Sequence, residues 1–197
     1  MNEFFTFADL GFHHIVDPKA FDHLLFIVTL CAAYRWDEWR KMLILITAFT
    51  IGHSLTLVLS GLNWLRVPSD WVELLIPVTI VLTSLYNVAS RRTAEAGTFT
   101  RSVSLNYAMA LFFGLIHGMG FANFFRALMG EDGGIVWPLF SFNVGIEIGQ
   151  IAIVTVFFSL YYGLAQWLKM PHRDWNFYVS GLGGGGALVL IMQQIFQ

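Results

Sequence analysis

Charged side chains are scarce in this sequence. Asp, Glu, Lys and Arg together make up 12% of its 197 residues, whereas 56% of the residues are hydrophobic. Soluble domains carry about 25% charged residues, and the mean hydropathy of this chain is +0.64. Such a chain has too little polar surface for a water-soluble particle, so we expect the lipid bilayer to be its solvent.

Cysteines and basic tracts are also nearly absent. Cys31 is the only cysteine in the sequence, which excludes an intrachain disulfide and a thiolate metal cluster. No run of Lys and Arg suits a nucleic acid, and the net charge is −2, so we expect no nucleic-acid partner. Residues 1–20 contain Glu3, Asp9 and Asp17 against Lys19. Because a secretory signal begins with a basic region, we expect no signal peptide.

Long apolar stretches are what the chain has in abundance. A membrane-spanning helix needs about 20 mostly apolar residues, and we identify six such segments: residues 20–34, 42–61, 71–89, 105–128, 136–168 and 177–196. The first is short unless Pro18 begins it, and the fifth, about 50 Å long as a helix, must tilt or kink. The prediction is an all-α integral membrane protein, one domain over residues 1–197, built as a bundle of about six transmembrane helices.

The distribution of Lys and Arg predicts which way the bundle faces, because short cytoplasmic loops carry an excess of both. The loops after the first, third and fifth segments contain eight of them: Arg35, Arg40, Lys41, Arg91, Arg92, Arg101, Lys169 and Arg173. The opposite side contains three: Lys19, Arg66 and Arg126. We therefore expect a bacterial inner-membrane protein with both termini outside the cytoplasm.

Residues 1–19 precede the first segment and contain apolar residues at helical spacing: Phe5, Ala8, Phe12 and Ile15. This pattern fits a short helix on the outer surface of the membrane, and it fits equally well an apolar tail that packs on the bundle. Either arrangement brings His13, His14 and Asp17 to the outer mouth of the bundle.

The last segment contains a run of glycines, residues 181–187, interrupted by Leu182 and ended by Ala187. Small residues let membrane helices approach closely, whereas a break in the helix would expose carbonyl groups to a substrate. We favour close packing, and the same run offers a surface for a homo-oligomer.

Three histidines and two carboxylates lie well inside the apolar segments, where such side chains cost a few kcal/mol: Asp22, His23, His53, His117 and Glu147. Counted from the outer ends of their helices, His53 lies about 12 Å deep, His117 about 16 Å and Glu147 about 14 Å. Asp22 and His23 occupy the first turns of the first segment, on the same side. Because four segments contribute residues at similar depth in the outer half of the bilayer, we expect a shared site.

Three explanations account for this group. Glu147 with His117, and Asp22 with His23, can form buried ion pairs, which leaves His53 over. A proton relay is the second explanation. We favour the third, a bound or transported metal ion, because imidazole and carboxylate ligands suit divalent nickel, zinc, copper, iron or cobalt.

Further polar residues share these helix faces: Asn143, Gln150, Thr50, Ser54, Thr56 and Glu73. The first two lie four residues before and three after Glu147, on its face of the helix, and the next three surround His53. Metal-bound histidines usually donate their second ring N–H to such groups, and membrane helices also use them as bridges. Glu73, near the outer end of the third segment, is a further possible ligand.

Four motifs of the sequence resemble HupE/UreJ family membrane proteins. The first has two parts, GFHHIVD at 11–17 and FDHLLF at 21–26, and the others are FTIGHSLTL at 49–57, FGLIHGMGF at 113–121 and FNVGIEIGQ at 142–150. The resemblance is to the compact form of the family, and it implies a secondary permease for nickel or a related divalent metal. It also implies that His14, Asp22 and His23 form an early metal-binding motif, with His13 and Asp17 as additional ligands. The spacing from His14 to Asp22 is longer here than in the hydrogenase-linked members.

A permease would capture the ion at the outer mouth, hold it at the buried group and release it inward. The inner half of the bilayer is the weak part of this hypothesis, because the third segment offers only weak ligands there, such as Thr79, Thr83 and Asn87. An aqueous path across the membrane would favour transport.

An intramembrane metal-dependent hydrolase is the alternative function. Three protein ligands and a metal-activated water form the catalytic zinc pattern, and Glu147 or Asp22 would then act as general base. A lateral opening toward lipid would favour this enzyme. A fully coordinated structural or sensing site is a third possibility.

Overall fold

A computed structural model describes residues 3–18, 21–95, 103–129 and 134–196 of the chain. Within these ranges the elements are all helical: α1 (Glu3–Val16), α2 (Phe21–Cys31), a 3₁₀ turn (Trp36–Glu38), α3 (Trp39–Gly61), α4 (Ser69–Glu95), α5 (Val103–Met129), α6 (Val136–Leu168) and α7 (His172–Ile195). The predicted all-α class is confirmed for these residues. Of the basic residues that predict orientation, Lys19 and Arg101 lie outside them.

Five of these helices, α3 to α7, are long and apolar enough to cross a membrane. Helix α2 has 11 residues, about 16 Å, which is roughly half of a hydrocarbon core of about 30 Å. The predicted count of about six spans is therefore not confirmed. The predicted first span is shorter than expected because its helix ends at Cys31, and the buried residues Ala32 and Ala33 continue it without helical structure.

The helices run between two ends of the bundle. Gly61, at the end of α3, lies against Ile135 just before α6, and Trp36, just before α3, has its ring 5.8 Å from that of Phe158 in α6. Helices α3 and α6 are therefore antiparallel. We call the end where α3 finishes and α6 begins the first end, and the opposite one the second end.

Helix α7 finishes at the first end, because Gln194 donates a hydrogen bond to Glu73 near the start of α4. Helix α1 begins there too, since the ring of Phe4 lies 5.9 Å from that of Trp137. Helix α2 begins beside Glu73, where Asp22 lines the same cavity, and the chain then reaches the second end at Tyr34. Both described termini thus lie at the first end.

Glycines bring α3 and α5 into backbone contact. A Cβ added at Gly114 would collide with the carbonyl oxygen of Phe49, and one added at Gly52 would collide with that of Leu111. Residues that come later in α3 contact residues that come later in α5, since Phe49 meets Gly114 and His53 meets Gly118. Helices α3 and α5 are therefore parallel. Gly114 and Gly118 flank His117, so α5 packs tightly against α3 beside this histidine.

Helices α1 and α6 repeat the same contact. A Cβ at Gly11 would collide with the carbonyl oxygen of Phe142, and one at Gly145 with that of Ala8. In both helix pairs each glycine abuts the carbonyl of the residue three positions before the partner's glycine. Helix α1 is therefore parallel to α6 and packs on the bundle, which is the second of the two arrangements predicted for residues 1–19.

Helix α7 continues through its glycine run without a break. Gly183 lies against Thr29 and Gly184 against Ser84, whereas a Cβ at Gly181 or Gly185 would meet open space. The close packing predicted for this run is confirmed, and it occurs inside the chain. Nothing among the described residues supports the predicted homo-oligomer.

Candidate metal centre

Four imidazoles from four helices gather inside the bundle. They are His14 of α1, His23 of α2, His53 of α3 and His117 of α5. Ring centroids lie 4.7 Å apart for His14 and His23, 5.5 Å for His14 and His53, and 5.2 Å for His23 and His117. The sequence predicts one depth for His23, His53 and His117 and places His14 at the outer mouth, and the structure brings all four together.

Three of these side chains can hold one ion. Each of His14, His23 and His53 offers a ring nitrogen such that the three atoms lie within 4.8 Å of one another. Nitrogens bound to a transition metal sit about 2.1 Å from it, so they are at most about 4.2 Å apart. The described arrangement therefore needs only a small contraction to become a coordination shell.

Burial without partners is the most unusual property of this cluster. His53 and His117 are 0% exposed and His23 is 4% exposed. Buried ring nitrogens without a hydrogen-bond partner are found on all four residues: Nε2 of His14, Nε2 of His23, both nitrogens of His53 and Nδ1 of His117. Buried polar atoms in native structures nearly always have partners. Each neutral imidazole has one nitrogen lone pair, so the four rings can offer unpaired lone pairs to an ion.

Asp22 orients His23 instead of joining the three-nitrogen group. Its Oδ1 accepts the backbone N–H of His23 at 2.9 Å and lies 3.1 Å from His23 Nδ1. With the proton on Nδ1 donated to this carboxylate, the lone pair of Nε2 is free for an ion. Carboxylates commonly hold metal-binding histidines in this way, fixing the ring and raising its basicity.

Thr79 of α4 orients the ring of His117 in the same way. From the sequence, Thr79 is only one of the weak polar residues of the inner half. Its hydroxyl donates to the carbonyl of Ile76 at 2.7 Å, so its oxygen can accept the proton on His117 Nε2, 3.1 Å away. The lone pair of Nδ1 is then unused. The signal in the sequence was that Thr79 is polar in an apolar span, which does not show its partner.

Phenylalanine rings enclose the cluster. Phe26 lies 5.0 Å from His117, Phe49 lies 5.2 Å from His117, and Phe121 lies 4.1 Å from His14, measured between ring centroids. A Cβ added at Gly118 would lie 2.6 Å from the carbonyl oxygen of His53, so α5 closes tightly over α3 at this level. The apolar wall lowers the local dielectric and strengthens electrostatic contacts inside it.

Glu147 is not part of this cluster. It accepts a hydrogen bond from Thr47 across the contact between α3 and α6, and Thr47 lies nearly two turns before His53. Ile146 and Gly149 are the residues of α6 that turn into the bundle, so Glu147 faces about 100° away from Ile146. The expectation that its carboxylate points to the same place as the histidines is not met, although its depth is similar.

The polar residues expected around His53 also have other partners. Thr50 donates to Gln150 at 3.0 Å, Ser54 to the carbonyl of Thr50 and Thr56 to that of Leu115. The prediction that these hydroxyls hold the His53 ring is wrong, because each is within reach of a backbone or amide oxygen instead. Thr50 and Thr56 bridge α3 to α6 and α5, which was the alternative interpretation, and Ser54 bonds within α3.

The remaining predicted residues lie outside the cluster. His13 is exposed on α1, 3.6 Å from Asp9, and Asp17 follows α1 at the surface. Asn143 has a buried Oδ1 without a partner, and Gln150 keeps a buried Nε2 without one. Both side chains are on α6, and Gln150 accepts its hydrogen bond from Thr50, one turn before His53.

A polar cavity leads from the first end to Asp22. We call it the vestibule; it has a volume of about 260 Å³ and is lined by Phe21, Asp22, Glu73, Pro77, Gln193 and Gln194 among others. Its two carboxylates suit a hydrated cation. Glu73 therefore lines the approach to the cluster. Asp22, which lines the same cavity, connects this approach to His23.

Comparison with known proteins adds one finding. A family model described as HupE / UreJ protein matches residues 1–195, essentially the whole chain, as the four motifs predicted. No curated protein and no solved structure matches the chain.

Proposed function

The chain belongs to the HupE/UreJ family, and from this membership we propose that it is a membrane permease that moves a divalent transition metal, nickel or cobalt, through the histidine cluster. The observation that carries the proposal is the set of buried ring nitrogens without partners. Nitrogen ligands of this kind suit late first-row metals, and the ion is the cargo of the protein.

Buried ion pairs explain the cluster less well. The pair of Asp22 and His23 accounts for one imidazole, and Glu147 is hydrogen-bonded to Thr47 instead of His117. Within the part of the chain that the structure describes, His14, His53 and His117 then have no ion pair with an acidic side chain to offset their burial. An ion shared by several imidazoles would satisfy all of them at once.

The hydrolase alternative has less support. Its general base would be Glu147 or Asp22, and both carboxylates are engaged, with Thr47 and with His23 respectively. A lateral cavity of about 510 Å³ does open between α2, α6 and α7, but the residues lining it are apolar and include none of the four cluster histidines. A lipid bound there would not reach the proposed ion.

We further propose that the first end, where both described termini lie, faces away from the cytoplasm of a bacterial inner membrane. The excess of Lys and Arg in the loops at the second end supports this orientation. The vestibule carboxylates Asp22 and Glu73 would then meet ions arriving from outside, and His13 and Asp17 would lie near the same approach.

The test is metal binding and uptake by the purified protein. We expect one nickel or cobalt ion per chain by elemental analysis after loading and desalting, and uptake of the ion into proteoliposomes. His14→Ala should lose stoichiometric binding, whereas His13→Ala, a change at the exposed neighbouring residue, should keep it. A wild-type protein that binds no divalent metal under any loading condition would refute the proposal.

A further inference from the structure

Polar side chains continue from the histidine cluster toward the second end of the bundle. Thr79, Thr83 and Asn87 follow one another at intervals of four residues on one face of α4, and Asn106 of α5 faces the last of them across a small cavity. All four are at most 6% exposed. Helical rise places Asn87 about 12 Å beyond Thr79, so these residues cover most of the half of the bundle that the sequence left without a path. We call this series the polar line.

Hydrogen bonds connect the polar line at both of its ends. Thr79 contacts His117 of the cluster, and the Thr83 hydroxyl donates to the carbonyl of Thr79 at 2.8 Å. At the far end Asn106 donates to the Tyr34 hydroxyl at 2.8 Å. The line therefore begins at a proposed ligand and finishes at the second end of the bundle.

A small cavity lies on the polar line. It measures about 10 Å³ and is lined by Thr83, Asn87, Asn106, Tyr86 and apolar neighbours, which is room for about one water molecule. Asn106 Oδ1 is buried without a hydrogen-bond partner. The vestibule on the other side of the cluster is about 260 Å³, so the space is wide beside Asp22 and narrow on the side of the second end.

We propose that the ion leaves the cluster along the polar line, and that the structure is the state closed at the second end. The inference rests on the proposed transport function. Hydroxyl and amide oxygens that bridge helices are common in membrane proteins, but bridging alone requires neither a cavity nor an oxygen left without a partner. A path that receives water and a cation when it opens accounts for both.

The two glycine-mediated helix crossings supply the movement that would open it. The bundle contains two units of three helices that run in opposite directions: α1, α3 and α4 form the first, and α5, α6 and α7 form the second. Under this correspondence the crossing of α1 with α6 is equivalent to the crossing of α5 with α3. Inverted units of this kind produce alternating access when they exchange conformations around a central site. The antiparallel pair α4 and α7 carries Glu73 and Gln194 at the vestibule, and Asn87 and Ser180, 3.1 Å apart, at the closed end.

The experiment compares two threonines that lie at different positions but make the same kind of hydrogen bond within their own helices. Thr83 donates to the carbonyl four residues earlier at 2.8 Å, and Thr155, exposed on α6, does the same at 2.7 Å. We expect Thr83→Val to lower the initial rate of nickel uptake into proteoliposomes about tenfold, because an ion in the apolar bundle loses a polar partner. Equilibrium nickel binding should stay within about twofold of wild type, and Thr83→Ser should restore uptake. Thr155→Val should behave as wild type.

Asn106→Leu, which fills the cavity, should block uptake in the same way while the protein still binds one ion. Wild-type uptake rates in both Thr83→Val and Asn106→Leu would overturn the exit path. Loss of binding in both variants would also overturn it, because the residues would then support the cluster itself. A wild-type protein that binds nickel without moving it would instead refute the transport function on which the path depends.

Discussion

Asp22 is the residue through which the cluster is most readily weakened without removing an imidazole. Its carboxylate fixes His23, whose free nitrogen faces the other rings. We expect Asp22→Asn to lower the affinity for nickel by about 10- to 100-fold, as loss of such partners does in other metal sites. Competition titration with a chelator measures this, and Asp9→Asn on the exposed face of α1 is the control. Unchanged affinity in Asp22→Asn would contradict the orienting role.

Thr79 offers a second test of how the histidine rings are held. Thr79→Val keeps the shape but removes the oxygen that accepts from His117, so we expect about tenfold weaker nickel binding in the same titration. Thr79→Ser keeps the hydroxyl and should bind as wild type. If the valine variant binds as tightly as the serine variant, His117 does not depend on this hydrogen bond.

Single residues show how far the sequence can predict the site. The depth of His53, His117 and Glu147 follows from counting along helices of known rise. The direction in which each side chain points does not, because it depends on which face of the helix meets a neighbour. The face of α6 that carries Gly145 packs against α1, and Glu147 lies on a different face from it. The face of α5 that carries Gly118 packs against α3, and the neighbouring His117 lies inside the bundle.

The helix crossings are the features to test among the secondary-structure elements. Gly114→Ala places a methyl group against the carbonyl of Phe49, and Gly11→Ala does so against Phe142. We expect each to lower the free energy of unfolding by about 1–3 kcal/mol, as overpacking does in other cores, seen as a lower melting temperature in detergent. Gly185→Ala faces open space and should be neutral or stabilising, because alanine favours helices. Equal melting temperatures for all three would argue against tight crossings.

Helix α2 differs most from its prediction. Apolar composition predicted a span at residues 20–34, and the structure instead has an 11-residue helix there, preceded by the 14-residue helix α1, whose helical spacing the sequence shows. Hydropathy measures how apolar a segment is, but it does not show whether the segment crosses alone or beside another short helix. The long helices α3 to α7 were predictable because each exceeds the bilayer thickness by itself.

Metal binding should stabilise the whole molecule. A ligand that binds the folded protein alone adds about 2.7 kcal/mol to its stability at a concentration 100 times the dissociation constant. We therefore expect nickel to raise the melting temperature of the wild-type protein and to have no effect on His53→Ala. Thermal unfolding with and without the ion measures the shift, and an equal rise in both proteins would show that the ion binds elsewhere.

Orientation in the membrane can be read with thiol reagents, because the native Cys31 is fully buried and should stay unlabelled. Trp64 and Trp167 are highly exposed at the first and second ends. In intact cells a membrane-impermeant reagent should label Trp64→Cys and leave Trp167→Cys unmodified until the membrane is opened. The reverse pattern would place the second end outside.

The two reversed crossings are alike, yet the histidine cluster between them is asymmetric. Gly11 and Gly114 are each followed three residues later by a histidine, so the equivalent helices α1 and α5 each bring one imidazole, His14 and His117. Helix α3 adds His53, whereas its counterpart α6 adds no histidine to the cluster. Helix α2 has no counterpart in the second unit, and it contributes His23 and Asp22. An ion approaching from the first end therefore meets a carboxylate that has no equivalent on the opposite side, which gives the site a polarity that the helix crossings alone would not.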